Sequence, residues 1–207
     1  KRMETEDGLF AINLSYTQEN YGYHTLSMFP VDGSDNATPE YGLVKNIIQG
    51  VRLNQITSSN GTVSFIPGAV RTDLSDNGAT MADNVNVNAR TLDSIKISNT
   101  AGNCKKFKFT YSYFTDNTTG INTYLASYGA NLQTDKNRLK LDAVQEIACD
   151  NVTNVPPHLF TYFTEFVPRR LSFGIDHWGF YNGVNNNDKL VPTYKTVDGA
   201  NMTTITG

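Results

Sequence analysis

At 207 residues the chain is long enough to bury about 70% of its unfolded surface, as one large domain or two small ones. Apolar residues make up 39% and charged residues 18%, with a net charge of −3. That balance excludes the low-hydrophobicity, high-charge class of disordered chains and gives no basic face for nucleic acid. No stretch reaches the roughly 18 apolar residues of a membrane-crossing helix.

In chain order, the opening at Lys1-Arg2-Met3-Glu4 carries no secretory leader and reads as a mature product or a piece of something longer. Residues 1–45 read as an N-terminal extension. Within it Tyr21 and Tyr23 flank Gly22, rings that suit either a core or a sugar-stacking surface. Asp32-Gly33-Ser34-Asp35-Asn36 offers oxygen ligands, as does the stretch from Asp73 to Asp83. Neither follows the twelve-residue calcium loop with its closing Glu, so turns are the expected reading and no metal is expected. Tyr41 to Gly50 is the best candidate for a short helix, around Leu43, Val44, Ile47 and Ile48, bracketed by Gly42 and Gly50.

Three hairpin-like units follow, spaced by about 45 residues as a loose internal repeat. In the first, Val51 to Thr57 leads through Ser58-Ser59-Asn60-Gly61 to Thr62–Ile66, and Asn-Gly supplies the positive φ that a tight hairpin turn needs. In the second, Leu92 to Ile97 precedes a turn at 99–103 and a strand at 106–114. That strand contains Phe107-Lys108-Phe109-Thr110-Tyr111-Ser112-Tyr113, whose rings alternate with polar residues. Successive strand side chains face opposite ways, so the pattern predicts a buried row of rings packed with Ile95, Leu139 and Leu141. In the third, Arg138 to Ile147 runs to Pro156-Pro157, and Phe160 to Phe166 returns as a strand. Residues 67–90 and 115–137 read as loops or irregular edges, with a turn between Asn131 and Arg138.

Cys104 and Cys149 fall at the same end of two neighbouring antiparallel strands if the hairpins form a meander. A bridge between them closes a loop of about 46 residues, worth about 4 kcal/mol in the chain-entropy model. Two buried free thiols are the competing reading. Lys105, Lys106 and Lys108 read as a solvated strand face. Sequons stand at Asn13, Asn36, Asn60, Asn117, Asn151 and Asn201, a number that a chain rich in Asn and Thr reaches by chance.

The histidines, His24, His158 and His177, lie far apart. Asp176 and His177 are adjacent and point apart in an extended chain, a poor acid–base relay. Esterase, zinc-protease and phosphate-loop motifs are missing, so the sequence points away from an enzyme and names no cofactor. A hydrolase would need an Asp/Glu pair or a His–carboxylate pair to converge from afar. The densest unusual segment runs from Asp176 to Asn187 and holds the single Trp. Trp178, Tyr181 and Asn182 form a candidate glycan-binding group, with rings to stack on a pyranose and amides to read hydroxyls. The competing reading is that Trp178, Phe180 and Tyr181 plug one end of a core.

Arg138-Leu139-Lys140-Leu141-Asp142-Ala143-Val144, Pro156-Pro157, Phe160-Thr161-Tyr162, Arg170-Leu171-Ser172 and Asp176-His177-Trp178-Gly179-Phe180-Tyr181-Asn182-Gly183 together resemble a segment of large Bacteroidetes surface proteins similar to the Rhs/YD-repeat group. The resemblance covers about residues 45–195. It implies a β-rich scaffold at an extracellular or outer-membrane surface, with neighbouring domains of a parent protein as partners, and assigns no catalytic residue. The chain has no evident run of YD repeats, so toxin delivery is not implied.

The sequence thus predicts an all-β fold with little helix, an antiparallel sandwich or strongly twisted stacked sheet built from hairpins. It is read as one module over 1–207, divisible into 1–45, a hairpin core at 46–195 and a tail at 196–207. The expected function is that of a non-catalytic structural or interaction module of a bacterial cell surface. A carbohydrate-binding module using Trp178 and Tyr181 is the first alternative and a hydrolase the second.

Overall fold

The structure is a computed structural model. It describes residues 1–29, 40–116, 132–150, 155–163, 167–174, 180–181, 194–198 and 201–205. Within them the chain is all-β and holds no helix. Eight strands form one antiparallel meander: β1 (Arg2–Glu4), β2 (Ala11–Phe29), β3 (Glu40–Ser58), β4 (Gly61–Val70), β5 (Arg90–Asn99), β6 (Cys104–Thr115), β7 (Asn137–Ile147) and β8 (His158–Leu159). The strands β9 (Tyr194–Asp198) and β10 (Asn201–Ile205) form a separate hairpin.

β2 and β3 pair from Ile12↔Ser58 to Phe29↔Glu40, with a register shift between Ser15 and Tyr16. The helix expected over 41–50 is therefore a strand. Leu43, Val44, Ile47 and Ile48 have helix-like spacing, but exposure from Ile47 to Arg52 alternates with period two, and three of the four residues named are β-branched Val or Ile. A long partner strand decides the matter, because β structure is fixed by cross-strand neighbours more than by local preference. The boundary between residues 45 and 46 falls inside this strand.

The turn between β3 and β4 is tight, with Ser58 opposite Gly61. Gly61 has φ +156°, and a Cβ there would lie 2.2 Å from the Ser98 carbonyl oxygen. Only glycine lets β5 approach the turn this closely. β3 and β4 pair over just four residues, from Ser58↔Gly61 to Gln55↔Ser64, and then part. β4 and β5 stay paired to Val70↔Arg90, with register shifts at Pro67, a residue that cannot donate to the ladder. The ribbon then continues irregularly through residues 71–89, with Arg71 N–H bonded to Ala89 O and Asn86 N–H to Leu74 O. It reaches the edge of β2 that β3 leaves open: Gly22 and Ser75 exchange both backbone hydrogen bonds, at 2.7 and 2.8 Å. A Cβ on Gly22 would stand 2.4 Å from the Asp76 carbonyl oxygen, so this docking depends on glycine.

β6 pairs with β7 from Lys106↔Ile147 to Thr115↔Asn137. Phe107 faces Ile95, Tyr111 faces Leu141 and Tyr113 faces Leu139. Phe109 and Tyr111 stack at 6.5 Å, on one face. Those rings are half-buried, however, and none is fully buried. The buried core lies elsewhere, around Leu43, Leu132 and Leu171 with Leu26 and Met81 against them, and Phe173 stacks on Tyr41 at 5.0 Å. The row of rings is a partly covered sheet face, roofed at one end by residues 71–72, where Thr72 N–H donates to the Tyr113 hydroxyl.

The strand expected at 160–166 is also corrected. β8 spans two residues, 160–163 run beside β7 outside any strand, and 164–166 lie outside the described residues. Phe160 N–H and the Tyr162 hydroxyl still bond the carbonyls of Asp142 and Leu141, so the segment straps the sheet edge without making a ladder. Cys104 and Cys149 form a disulfide with Cα atoms 5.9 Å apart, stapling β6 to the chain just beyond β7.

Candidate functional site

The sequence-singled residues scatter. Trp178, Asn182, Asp176 and His177 lie outside the described residues, as does the 32–36 stretch. Tyr181 is 38% exposed and Phe180 70% exposed, so Phe180 does not plug a core. His158 sits exposed on β8. Lys105 pairs with Glu146 at 3.1 Å, and Lys108 with Asp93. Asp73, Asp76 and Asp83 are drawn to nitrogen and hydroxyl donors, and no cluster of metal-ligating side chains occurs among the described residues.

What the fold does assemble is a buried polar cluster where the 71–89 ribbon meets β2, residues 132–138 and residues 168–172. His24 projects from β2 with its side chain 2% exposed. Its Nε2 stands 3.1 Å from Met81 O, and its Nδ1 3.6 Å from Asp83 Oδ1. Asp83, whose side chain is fully buried, also accepts from the Gln133 and Thr134 amides at 2.6 and 2.7 Å and from the Thr134 hydroxyl at 2.9 Å. Burial alone would push this carboxyl up. The hydrogen bonds from Thr134 and Gln133, with the His24 ring close by, outweigh it and hold Asp83 well below the usual carboxylate range.

Arginines complete the cluster. Arg71 forks onto Asp73 at 3.0 and 2.6 Å. Burial would weaken the Arg71 charge, but Asp73 more than offsets it and raises Arg71 above its ordinary value. Arg169 forks onto Asp135 at 2.9 and 2.5 Å and bonds Leu132 O, while its amide donates to Asp116. Arg170 reaches Asp73 O at 2.6 Å and Thr134 O at 3.3 Å, and Arg138 reaches Pro168 O. Lys45, on β3, grips Asp76 at 2.7 Å and Ala82 O at 2.8 Å.

Apart from the local Arg71–Asp73 fork, these contacts join chain segments that are distant in sequence. Taking charges out of water costs several kcal/mol per ion, and paired partners repay it only when geometry and added hydrogen bonds are good. Here the bidentate forks and the three donors around Asp83 meet that condition, so the cluster acts as a clasp. It is also the one place among the described residues where a histidine and a carboxylate converge. No local pattern signals it, because His24, Asp83 and Thr134 come from three separate segments and belong to no common motif. The chain matches no family model, and no curated protein or solved structure matches it significantly.

Proposed function

We propose that the chain is a non-catalytic structural or interaction module of a bacterial cell-surface protein, of the kind the Rhs/YD-like resemblance implies, exposed outside the cell and contacting neighbouring domains. The observation that carries this reading is the clasp. Its charged groups are spent on holding β2, the 71–89 ribbon and residues 132–138 and 168–172 together. The His24–Asp83 pair is what a hydrolase would need, but Nε2 is engaged by Met81 O, and little of either side chain meets solvent. The Cys104–Cys149 bridge supports an oxidising, extracytoplasmic location. Apolar side chains along the edge strap, with Leu159 74% and Phe163 82% exposed, support contact with a neighbouring domain. The test is labelling of intact producing cells with a membrane-impermeant reagent, together with thiol titration of the denatured, unreduced protein. Surface labelling with no free thiol is expected. An intracellular chain with two free thiols would overturn the reading.

A second reading, glycan binding through Trp178, Tyr181 and Asn182, is favoured by the exposed rings of Phe180 and Tyr181. Because the chain has a single Trp, a glycan panel that shifts its fluorescence reports on that site alone. A flat response across the panel removes this reading.

A further inference from the structure

Beside the clasp lies a cavity of about 320 Å³ between β2, the start of β7 and residues 170–172. Arg138 and Arg170 both line it, with Tyr23, Thr25 and Ser172 adding polar groups and Leu26 and Leu171 an apolar wall. We infer that this cavity is a binding site for a compact oxyanion, a carboxylate or a phosphate, held between the guanidinium groups of Arg138 and Arg170. The inference goes beyond the structural role proposed above and does not depend on it.

Three observations converge. First, both guanidiniums hydrogen-bond only main-chain carbonyls among the described residues: Pro168 O for Arg138, and Asp73 O and Thr134 O for Arg170. The nearby carboxylates are committed elsewhere, Asp73 to Arg71, Asp135 to Arg169, and Asp83 to His24, Gln133 and Thr134. Asp116 receives the Arg169 amide. Second, Arg170 Nε is buried with no hydrogen-bond partner. A guanidinium has five donors in a rigid fork, and an N–H removed from water without an acceptor is destabilising. Third, burial weakens both charges, and the Arg170 charge further depresses Arg138; Asp135 beside Arg138, and Asp73, Asp135 and Asp83 beside Arg170, offset this only in part. A bound oxyanion answers all three conditions at once, because it supplies the missing acceptor and adds to the incomplete countercharge. Arginine suits it better than lysine would, since the planar fork matches carboxylate and phosphate oxygens. The cavity's volume, near the lower end of ligand pockets, leaves room for a small group attached to the anion.

The experiment follows the arginine Nε–H signals of the intact chain by ¹H–¹⁵N NMR during titration with inorganic phosphate and, separately, with acetate. Saturable shifts at Arg138 and Arg170, with Arg52 and Arg71 unmoved, are expected, and the tighter arm identifies phosphate or carboxylate as the ligand. Arg138→Lys keeps the charge but loses the fork, and is expected to weaken binding about tenfold while leaving the backbone amide spectrum folded. No shift at Arg138 and Arg170 in either arm, or equal unsaturable drift at all four arginines, would overturn the site.

Discussion

At the scale of single residues, Asp83 concentrates more interactions than any pattern in the sequence suggested. Replacing it with Asn keeps the shape but turns an amide toward donors, and is expected to cost about 3 kcal/mol in urea unfolding. The same residue sets a pH dependence. Its carboxyl titrates lower in the folded chain than in the unfolded one, near 3.9, so its contribution is present above about pH 4 and is lost as pH falls toward the folded value. Asp76 and Asp93, held down by Lys45 and Lys108 despite burial, act in the same direction. Acid titration of unfolding stability should therefore fall less steeply in the Asp83→Asn protein than in the parent. Parallel acid limbs would show that Asp83 is not a stabilising anion. Gly22 makes the complementary point about space. Gly22→Ala places a methyl group against the Asp76 carbonyl and is expected to cost about 1–3 kcal/mol, read as a lower urea midpoint at unchanged slope. A midpoint equal to the parent's would mean that the ribbon does not dock where Ser75 meets Gly22.

At the scale of elements, the alternation of rings in β6 was legible in the sequence, while the depth of their burial was not. Side-chain alternation follows from the strand alone. Burial depends on what covers the sheet, and residues 71–72 reach the Tyr113 end. Phe109→Ala is accordingly expected to cost about 1.5–3 kcal/mol, less than a fully buried ring, and Thr110→Ala less than about 0.5 kcal/mol. Equal losses at both positions in thermal melts would contradict the one-faced strand. The turn at Asn60-Gly61 and the strands flanking it were readable for a similar reason, since local chemistry dictates them. The long β2–β3 ladder was hidden because β2 carries mixed polar and aromatic residues such as Gln18, Glu19 and Asn20, and its partner mimics helical spacing. The clasp was invisible for a third reason: contacts such as the Arg169–Asp135 ion pair and the Arg170 hydrogen bond to Asp73 O exist only once residues 168–172 have packed against residues 132–138 and the ribbon.

At the scale of the whole molecule, pairing is uneven. β1 and β8 hold the meander's ends by three and two residue pairs, whereas β2 and β3 share an almost unbroken ladder. Native-state hydrogen exchange is expected to rank them in that order, with β8 and β1 fastest and the centre of β2–β3 slowest. Slow exchange at β8 with fast exchange in the ladder would mean the edge strap, not the ribbon, anchors the sheet. The meander by itself is a succession of local hairpins, each able to zip from its turn. The return of residues 71–89 to β2 is different in kind. Ser75 and Gly22, Asp83 and Thr134, and Arg170 and Asp73 are drawn together across separations of up to 97 residues. Loop-closure entropy must be met before such contacts reward it, so rates fall as contact order rises. Refolding should thus zip the neighbouring hairpins early and knot the histidine–aspartate–arginine junction late, leaving a transient in which the meander is formed but unlocked.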